Sequence, residues 1–451
     1  MRFMPRLSLL ALAIAAVLVA QIQPTYAGGF IRSNAVGGVS IDPEGVVSNP
    51  EVGDPEQLAA AWKSGLDEVP GDIAKKSNLR FVSLREMEAI VAEKREAGLP
   101  VPDEVMLMAG LQRVQYVLVY PETGDIVLAG PAEGWRVDNL GNVVGQTTGR
   151  PVVALDDFMV ALRAAMAQPG AGMSCSIDPT PEGLANVQKV SKRFTPNTGP
   201  ERASKAIADA MGYQTISVTG IPATSHFART LVAADFRMKR LAMGFEPSPV
   251  EGMPSYLELL GKKRGRISQN MLPRWWLAAD YQPMLRDESG LAWELRGQGV
   301  KCMTEEDYVN SQGEKTGSGK ANGPAQQWAD TFTDKFEELE AHDSAFGQLR
   351  NVMDLAVVTT LIVHEGMAEQ VGLQMPWLAG KFEVDQFSAP KQVATQTTFI
   401  RASGRWLISA SGGVQILPGE ILSASEKTEK IAAASQGTRV ASEKSWWWDA
   451  K

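Results

Sequence analysis

The chain has 451 residues, with 44 Lys and Arg against 52 Asp and Glu, three His, two Cys and a net charge of −8. A chain of this length divides into two or three domains with their own cores, and 44% hydrophobic with 21% charged residues describes a globular rather than a disordered chain. The acidic balance argues against nucleic acid as the main partner, because phosphate binding needs a basic face. Three His and two Cys leave little for a zinc or iron–sulfur centre, so no metal and no cofactor is expected.

The chain opens with a short basic start, Met1–Arg6, then the apolar run Leu7–Ala20, then a polar exit, Gln21–Ala27, with Thr25 and Ala27 at the small −3 and −1 positions. This three-part pattern is that of a signal peptide, and the apolar run is shorter than the roughly 20 residues a bilayer span needs. The expectation is export with cleavage near Ala27, giving a periplasmic or extracellular protein with no transmembrane segment after signal removal. The alternative is an uncleaved N-terminal anchor. Export gives Cys175 and Cys302 a meaning: in an oxidising compartment the pair is a disulfide candidate. A bridge would close a long loop and stabilise by on the order of 4–5 kcal/mol. Two buried free thiols are the other reading.

In chain order, Val39–Ile41, the turn Asp42-Pro43-Glu44-Gly45 and Val46–Ser48 predict a small hairpin. Asp54–Ser64 reads as a helix. Ser83–Ala97 is the clearest helix: Ser83 and Glu86 form a capping box, Leu84, Met87, Ile90 and Val91 make the apolar stripe, and Gly98 and Pro100 stop it. Its other face, Arg85, Glu88, Glu93, Lys94, Arg95 and Glu96, reads as solvated. Val114–Val119 and Ile126–Ala129 flank a turn signal and predict a hairpin, and Trp135–Val144 predicts another. Asp157–Ala167 is a helix. Beyond Pro169-Gly170 come a strand at Met173–Ile177, helices at 181–193 and 200–211, a strand at Thr215–Thr219 and a long helix at Ser225–Met243. A short helix at 255–260 precedes strands at Trp275–Ala278, Gly290–Glu294 and Gly299–Met303. Ser311–Pro324 is low in complexity and reads as a flexible loop. Helices Gln326–Ala341 and Ser344–Val363 follow, then strands at Thr397–Arg401, Trp406–Ala410 and Gly413–Leu417. The fold class is α+β: antiparallel hairpins packed with helices, in two or three domains. The expected division is a signal peptide (1–27), an N-terminal domain (28–170), a middle domain (171–310), the loop (311–324), a C-terminal helical pair plus strands (325–421) and a polar tail ending in a Trp triplet (422–451).

The catalytic templates fail on detail. Gly313–Lys320 resembles a phosphate loop, but its spacing is one too long and Ala321 stands where Ser or Thr would hold Mg²⁺. His364-Glu365 would need a second His at 368, which is Ala, to be a zinc protease. His364 with Glu365 as a general base remains open, against a helix C-terminal His meeting backbone carbonyls. Ser225-His226 lie at a helix start, where Ser225 is more naturally a cap. Glu305-Glu306-Asp307 follow Thr304 as in a helix N-terminus. Two clusters suggest interaction instead. Lys262, Lys263, Arg264 and Arg266 form the one basic run, which suits an anionic surface or a solvated loop. Trp446, Trp447 and Trp448 are large rings on a polar tail, and dock either on this chain or on a partner. Trp275-Trp276 are candidates for stacking on sugar, and strand alternation would expose one of them.

Leu111–Trp135, Gly149–Met166, Ser174–Leu184, Pro273–Tyr308 and Phe346–Ile362 together resemble a bacterial family of exported proteins known as domain of unknown function 1598. The resemblance runs from about residue 30 to about residue 420. It implies export and a shared fold, and it implies no activity and no site residues. The reading that follows is a non-enzymatic binding or cell-envelope scaffold protein whose partner is an envelope protein or polymer. The alternative is a hydrolase of an envelope or extracellular polymer.

Overall fold

A computed structural model describes residues 35–36, 38–49, 69–195, 197–262, 271–321, 323–400, 405–408, 411–429, 431 and 445–450. The signal segment expected at 1–27, the helix expected at 54–64 and the basic residues Lys263, Arg264 and Arg266 lie outside them. The strands are β1 (Ala35–Val36), β2 (Val39–Ile41), β3 (Val46–Ser48), β4 (Ser77–Ser83), β5 (Tyr116–Tyr120), β6 (Asp125–Ala132), β7 (Trp135–Val137), β8 (Val143–Gly145), β9 (Met173–Asp178), β10 (Tyr213–Thr219), β11 (Met271–Asp280), β12 (Met284–Arg286), β13 (Ala292–Glu294), β14 (Gly299–Val309), β15 (Lys315–Gly317), β16 (Gln392–Ala394), β17 (Thr397–Ile400), β18 (Arg405–Ile408), β19 (Ser411–Ile416), β20 (Ser425–Lys427) and β21 (Trp447–Asp449). The principal helices are α1 (Leu84–Glu96), α2 (Leu155–Ala167), α3 (Pro181–Ser191), α4 (Pro200–Met211), α5 (His226–Ala242), α6 (Tyr256–Lys262), α7 (Gly323–Asp334), α8 (Phe336–His342) and α9 (Ser344–His364).

Two large sheets organise the α+β fold. A ten-stranded sheet runs β1-β2-β3-β16-β10-β9-β19-β11-β14-β15, and a seven-stranded sheet runs β20-β12-β13-β5-β6-β4-β21. Most neighbours are antiparallel; β3·β16, β11·β19 and β12·β20 are parallel. Strand pairing crosses the boundaries expected at 170 and 310. The ten-stranded sheet takes β1–β3 from the first expected domain, β9–β11 and β14 from the second, and β16 and β19 from the third. The chain also leaves this sheet after β11, adds β12 and β13 to the other, and returns as β14. One apolar cluster accordingly contains residues of both sheets and of α2, α5 and α9.

Local signals explain several elements. Ser83 caps α1, its Oγ accepting from Glu86 N at 3.1 Å. The reciprocal half of the expected capping box is absent, because Ser83 N donates to Trp446 O at 2.9 Å. Glu88 is not solvated: its carboxylate accepts from Trp377 N (2.8 Å) and Leu378 N (3.0 Å). Burial pushes that carboxyl up, against the two amides and Lys381. The helix expected over 326–341 breaks at Lys335 into α7 and α8, while Trp328, Phe332, Phe336 and Leu339 stay on one buried stripe. Glu305, Glu306 and Asp307 lie within β14, not at a helix start, and the loop expected at 311–324 contains β15, paired with β14.

α9 is long and apolar enough to cross a membrane by length and composition, contrary to the expectation that no later segment is. Here it is the central core helix, buried from Ala345 to Ile362. Both of its buried charges, and its asparagine amide, meet partners from other elements. Asp354 accepts from Tyr281 Oη at 2.7 Å and pairs with Arg113 at 3.2 Å. Arg350 pairs with Glu340, which Arg150 also reaches at 3.3 Å. Asn351 Nδ2 donates to Pro151 O at 3.0 Å.

Of the two readings for the cysteines the disulfide is not formed; Cys175 and Cys302 are free and buried. The register shows why. Cys175 lies opposite Val414, Val414 opposite Leu277, and Leu277 opposite Cys302. The two cysteines share a row but stand three strand spacings apart, about 14 Å, against a Cα limit of about 7 Å. Above that row α5 carries Asp235 and Lys239, paired at 2.9 Å, with Lys239 Nζ also donating to Ile177 O at 2.8 Å.

Three outcomes are expected. Titration of the denatured, unreduced protein gives two thiols per chain. Asp354→Ala, which removes the fully buried partner of Arg113 and of the Tyr281 hydroxyl, lowers unfolding free energy by about 3–5 kcal/mol in denaturant titration. Burial pushes Asp235 up to about 6 despite Lys239. The folded chain therefore binds this proton more tightly than the unfolded one, and the contribution to stability grows as pH falls from 7 through 6. Asp235→Asn removes that part of the pH dependence of the melting temperature.

Candidate functional site

Alternation along the central strands of the ten-stranded sheet sends Cys175, Ile177, Ile216, Trp275, Leu277 and Cys302 inward and leaves a polar outer face. The register places Ser217, Ser176, Gly413, Trp276 and Met303 in one row across β10, β9, β19, β11 and β14. A second row holds Thr219, Ser174, Gln415, Ala278 and Lys301. Thr215, Ser217, Thr219, Gln415 and Met303 are exposed, and Trp276 is half-buried. Each row spans four strand spacings, about 19 Å.

Gly413 shapes this face. A Cβ there would lie 2.0 Å from Cys175 O, and one at Gly412 would lie 1.6 Å from Trp275 O. The backbones approach too closely for any side chain, so the row has a trough between Trp276 and Ser176. The Trp276 ring is held by Arg274, whose guanidinium carbon lies 5.1 Å from the ring centroid. Arg274 in turn pairs with Glu305 at 2.9 Å. Farther along, Ser411 Oγ donates to Asp307 Oδ2 at 3.1 Å, and Lys315 pairs with Asp178 at 2.6 Å. Burial raises the Asp307 carboxyl against Ser411 and Arg274. Burial also acts on Asp178, but Lys315, Lys239 and the Ser176 hydroxyl together hold it below the usual carboxylate range. The cations here are ion-paired: Lys301 also lies 3.6 Å from Asp280.

A second polar arrangement joins the first turns of α2 and α5. His226 Nδ1 lies 2.9 and 3.1 Å from the Asp157 carboxylate oxygens. A carboxylate at Nδ1 requires the proton there in the neutral ring, which leaves Nε2 as the basic nitrogen. Ser225 is not a nucleophile: its Oγ donates to Pro222 O at 2.7 Å and accepts from Ala228 N at 3.1 Å, as a cap. Beside it is a cavity of about 760 Å³ lined by Arg163, Ile221, Ser225, Glu383 and Gln386, among others.

The residues singled out in the sequence do not gather at one place. His364 is exposed at the end of α9, its Nδ1 3.1 Å from Glu365 Oε1. Lys262 ends α6. Trp446–Trp448 dock on the chain itself: β21 pairs with β4, and Trp448 stacks on Phe81 with centroids 5.5 Å apart. Of Trp275 and Trp276, Trp275 is fully buried, edge-on to Tyr256 and Trp328, and Trp276 faces outward. Sequence reasoning missed Arg274, Met303 and the serines of the outer face, although the alternation Ser174-Cys175-Ser176-Ile177-Asp178 was there to be read. It had no signal for His226 with Asp157, which are 69 residues apart.

The fold is a mixed α+β architecture whose outer sheet face and His–Asp pair both involve one segment. Residues 175–256 match the family described as protein of unknown function (DUF1598). The match runs from Cys175 in β9 to Tyr256 in α6, and so includes β10, α5 and His226. It is narrower than the resemblance drawn from about 30 to about 420. The chain matches no curated protein and no solved structure.

The two adjacent tryptophans have opposite expected effects. Trp275→Ala empties a fully buried site and costs about 3–5 kcal/mol in denaturant titration. Trp276→Ala leaves the stability within about 1 kcal/mol of the parent.

Proposed function

We propose that this chain is an exported binding protein of the cell envelope that holds a neutral, hydroxyl-rich polymer along the outer face of the ten-stranded sheet. The row Ser217–Ser176–Gly413–Trp276–Met303 carries the proposal. An indole ring beside a trough offers a flat apolar platform. The hydroxyls of Ser174, Ser176, Ser217, Thr215 and Thr219 both donate and accept, which suits a partner rich in the same groups. Arg274, Lys301 and Lys315 already face carboxylates, which favours a neutral polymer over an anionic one. The export signal supports the location.

A hydrolase is the second reading, favoured by the Asp157 carboxylate on His226 Nδ1. In it His226 Nε2 would take a proton from an attacking water.

The test is titration of neutral polysaccharides into the purified protein, with turnover followed in the same samples. Trp276→Ala is expected to weaken binding at least tenfold, about 1.4 kcal/mol, and His226→Ala to leave it unchanged. Unaltered binding by Trp276→Ala sinks the sheet-face proposal; hydrolysis abolished by His226→Ala establishes the second reading. The mass of the exported protein is expected to correspond to a chain beginning at Gly28.

A further inference from the structure

The cavity beside Ser225 is walled by three distant parts of the chain: α2, the turn from β10 into α5, and residues 380–386. Its volume, about 760 Å³, is that of a site for a small organic molecule. Val160, Ala164, Ile221 and Val384 line it with apolar surface that is continuous with the main core. Most of its polar side chains are spent within the protein. Ser225 Oγ caps α5. Gln386 Nε2 donates to Val384 O at 3.1 Å, and Gln386 Oε1 accepts from the Thr224 hydroxyl. Glu383 is exposed at the rim.

Arg163 is the exception. Among the described residues that line the cavity it is the one cation. Its Nε donates to Leu378 O at 3.1 Å, and its Nη2 to Trp377 O at 3.4 Å and Phe382 O at 2.5 Å. Among the described residues Nη1 has no hydrogen-bond partner, and no carboxylate forms an ion pair with the guanidinium. Burial lowers the pKa of Arg163 against the pull of Asp156. Carbonyls satisfy its N–H groups and supply no counter-charge.

The wall that grips Arg163 is itself fastened. Trp377–Lys381 form a π-turn, with Phe382 N donating to Trp377 O at 2.9 Å. Wide turns of this kind recur at functional sites. Glu88 of α1 accepts from Trp377 N and Leu378 N, so an acid holds the start of the turn and Arg163 holds its end. Gly380, within the turn, lines the cavity, and a Cβ there would meet no atom within 4 Å. The cleft is therefore preorganised: apolar walls around one anchored cation, with little left to order on binding.

We infer that this cavity binds a small aliphatic monocarboxylate, with the carboxylate on Arg163 Nη1 and the chain along Val160, Ala164, Ile221 and Val384. A charge-assisted bond there supplies the anion that Arg163 lacks. An aliphatic body suits the walls better than a peptide, whose amides would enter a cleft where Ser225 and Gln386 are already engaged. One carboxylate suits the site better than two, because Glu383 at the rim repels a second. The cavity shares no residue with the row through Trp276, so the inference stands apart from the sheet-face proposal.

The test is calorimetric titration of octanoate into the full chain, with octanol and octanedioate as comparisons. Octanoate is expected to bind at one per chain, and the other two at least tenfold more weakly. Arg163→Gln is expected to weaken octanoate at least tenfold and to leave octanol unchanged. Gly380→Leu extends a side chain into the open cleft. It is expected to weaken octanoate and octanol alike while the melting temperature stays the same, which keeps the test decisive should Arg163→Gln not fold. Trp276→Ala is expected to leave octanoate binding as it is. Absence of saturable octanoate binding overturns the site, and so does octanoate binding that Gly380→Leu does not alter. Octanol binding as tightly as octanoate, or octanoate binding undiminished in folded Arg163→Gln, overturns recognition through Arg163. Octanedioate binding as tightly as octanoate overturns the preference for one carboxylate. Tighter binding of acetylated trileucine overturns the aliphatic body.

Discussion

The fold depends on keeping a charged helix satisfied in an apolar interior. α9 is buried along nearly its whole length, yet it carries Gln348, Arg350, Asn351 and Asp354. A buried charge without a partner is among the costliest defects a core can hold. Asp354 meets Arg113, just before β5 of the seven-stranded sheet, and Tyr281, just after β11 of the ten-stranded one. Burial and Asp354 together push the Tyr281 hydroxyl well above its usual value, so it stays a donor. Satisfying one carboxylate therefore fixes the two sheets relative to one helix.

That constraint leaves the two sheets in different positions. The seven-stranded sheet buries alternate residues on opposite faces: Val117, Val119, Ile126 and Leu128 in the main core, and Leu118, Tyr120, Val127 and Ala129 in a second cluster with Phe81 and Ile431. Both faces being covered explains why these strands read as unbroken apolar runs. The ten-stranded sheet covers its central strands on one side, with α5 over β9 and β19 and Trp328 of α7 against Trp275, and keeps the other side polar. A surface suited to an extended partner is thus the by-product of where the helices were needed.

Much of the local structure was legible. The hairpin at Val39–Ser48, the Ser83 cap and the helices at 181–193, 200–211 and 225–243 follow from turn residues, caps and apolar spacing, which act within a few residues. The reading failed where a distant group replaced the local one. Glu88 looks solvated on α1 and is buried because Trp377 N and Leu378 N need an acceptor. Glu305–Asp307 look like a helix start and form part of a strand because β11 and β15 pair with them. The candidate site was legible only through the pair Trp275-Trp276, one of which alternation turns outward; the neighbours of Trp276 in the row come from four other strands spread over residues 176 to 413.

By itself the sequence determined the α+β class, the positions of most elements and that one of Trp275 and Trp276 turns outward, since each depends on propensities and periods of two to four residues. Tertiary structure alone decided strand order, and with it that Cys175 and Cys302 stand in one row yet out of reach, that His226 meets Asp157, and that Trp446–Trp448 close a sheet edge around Arg80. Those outcomes depend on which strands become neighbours. That choice is made by the burial of whole faces and the pairing of buried charges, and no short stretch of sequence encodes it.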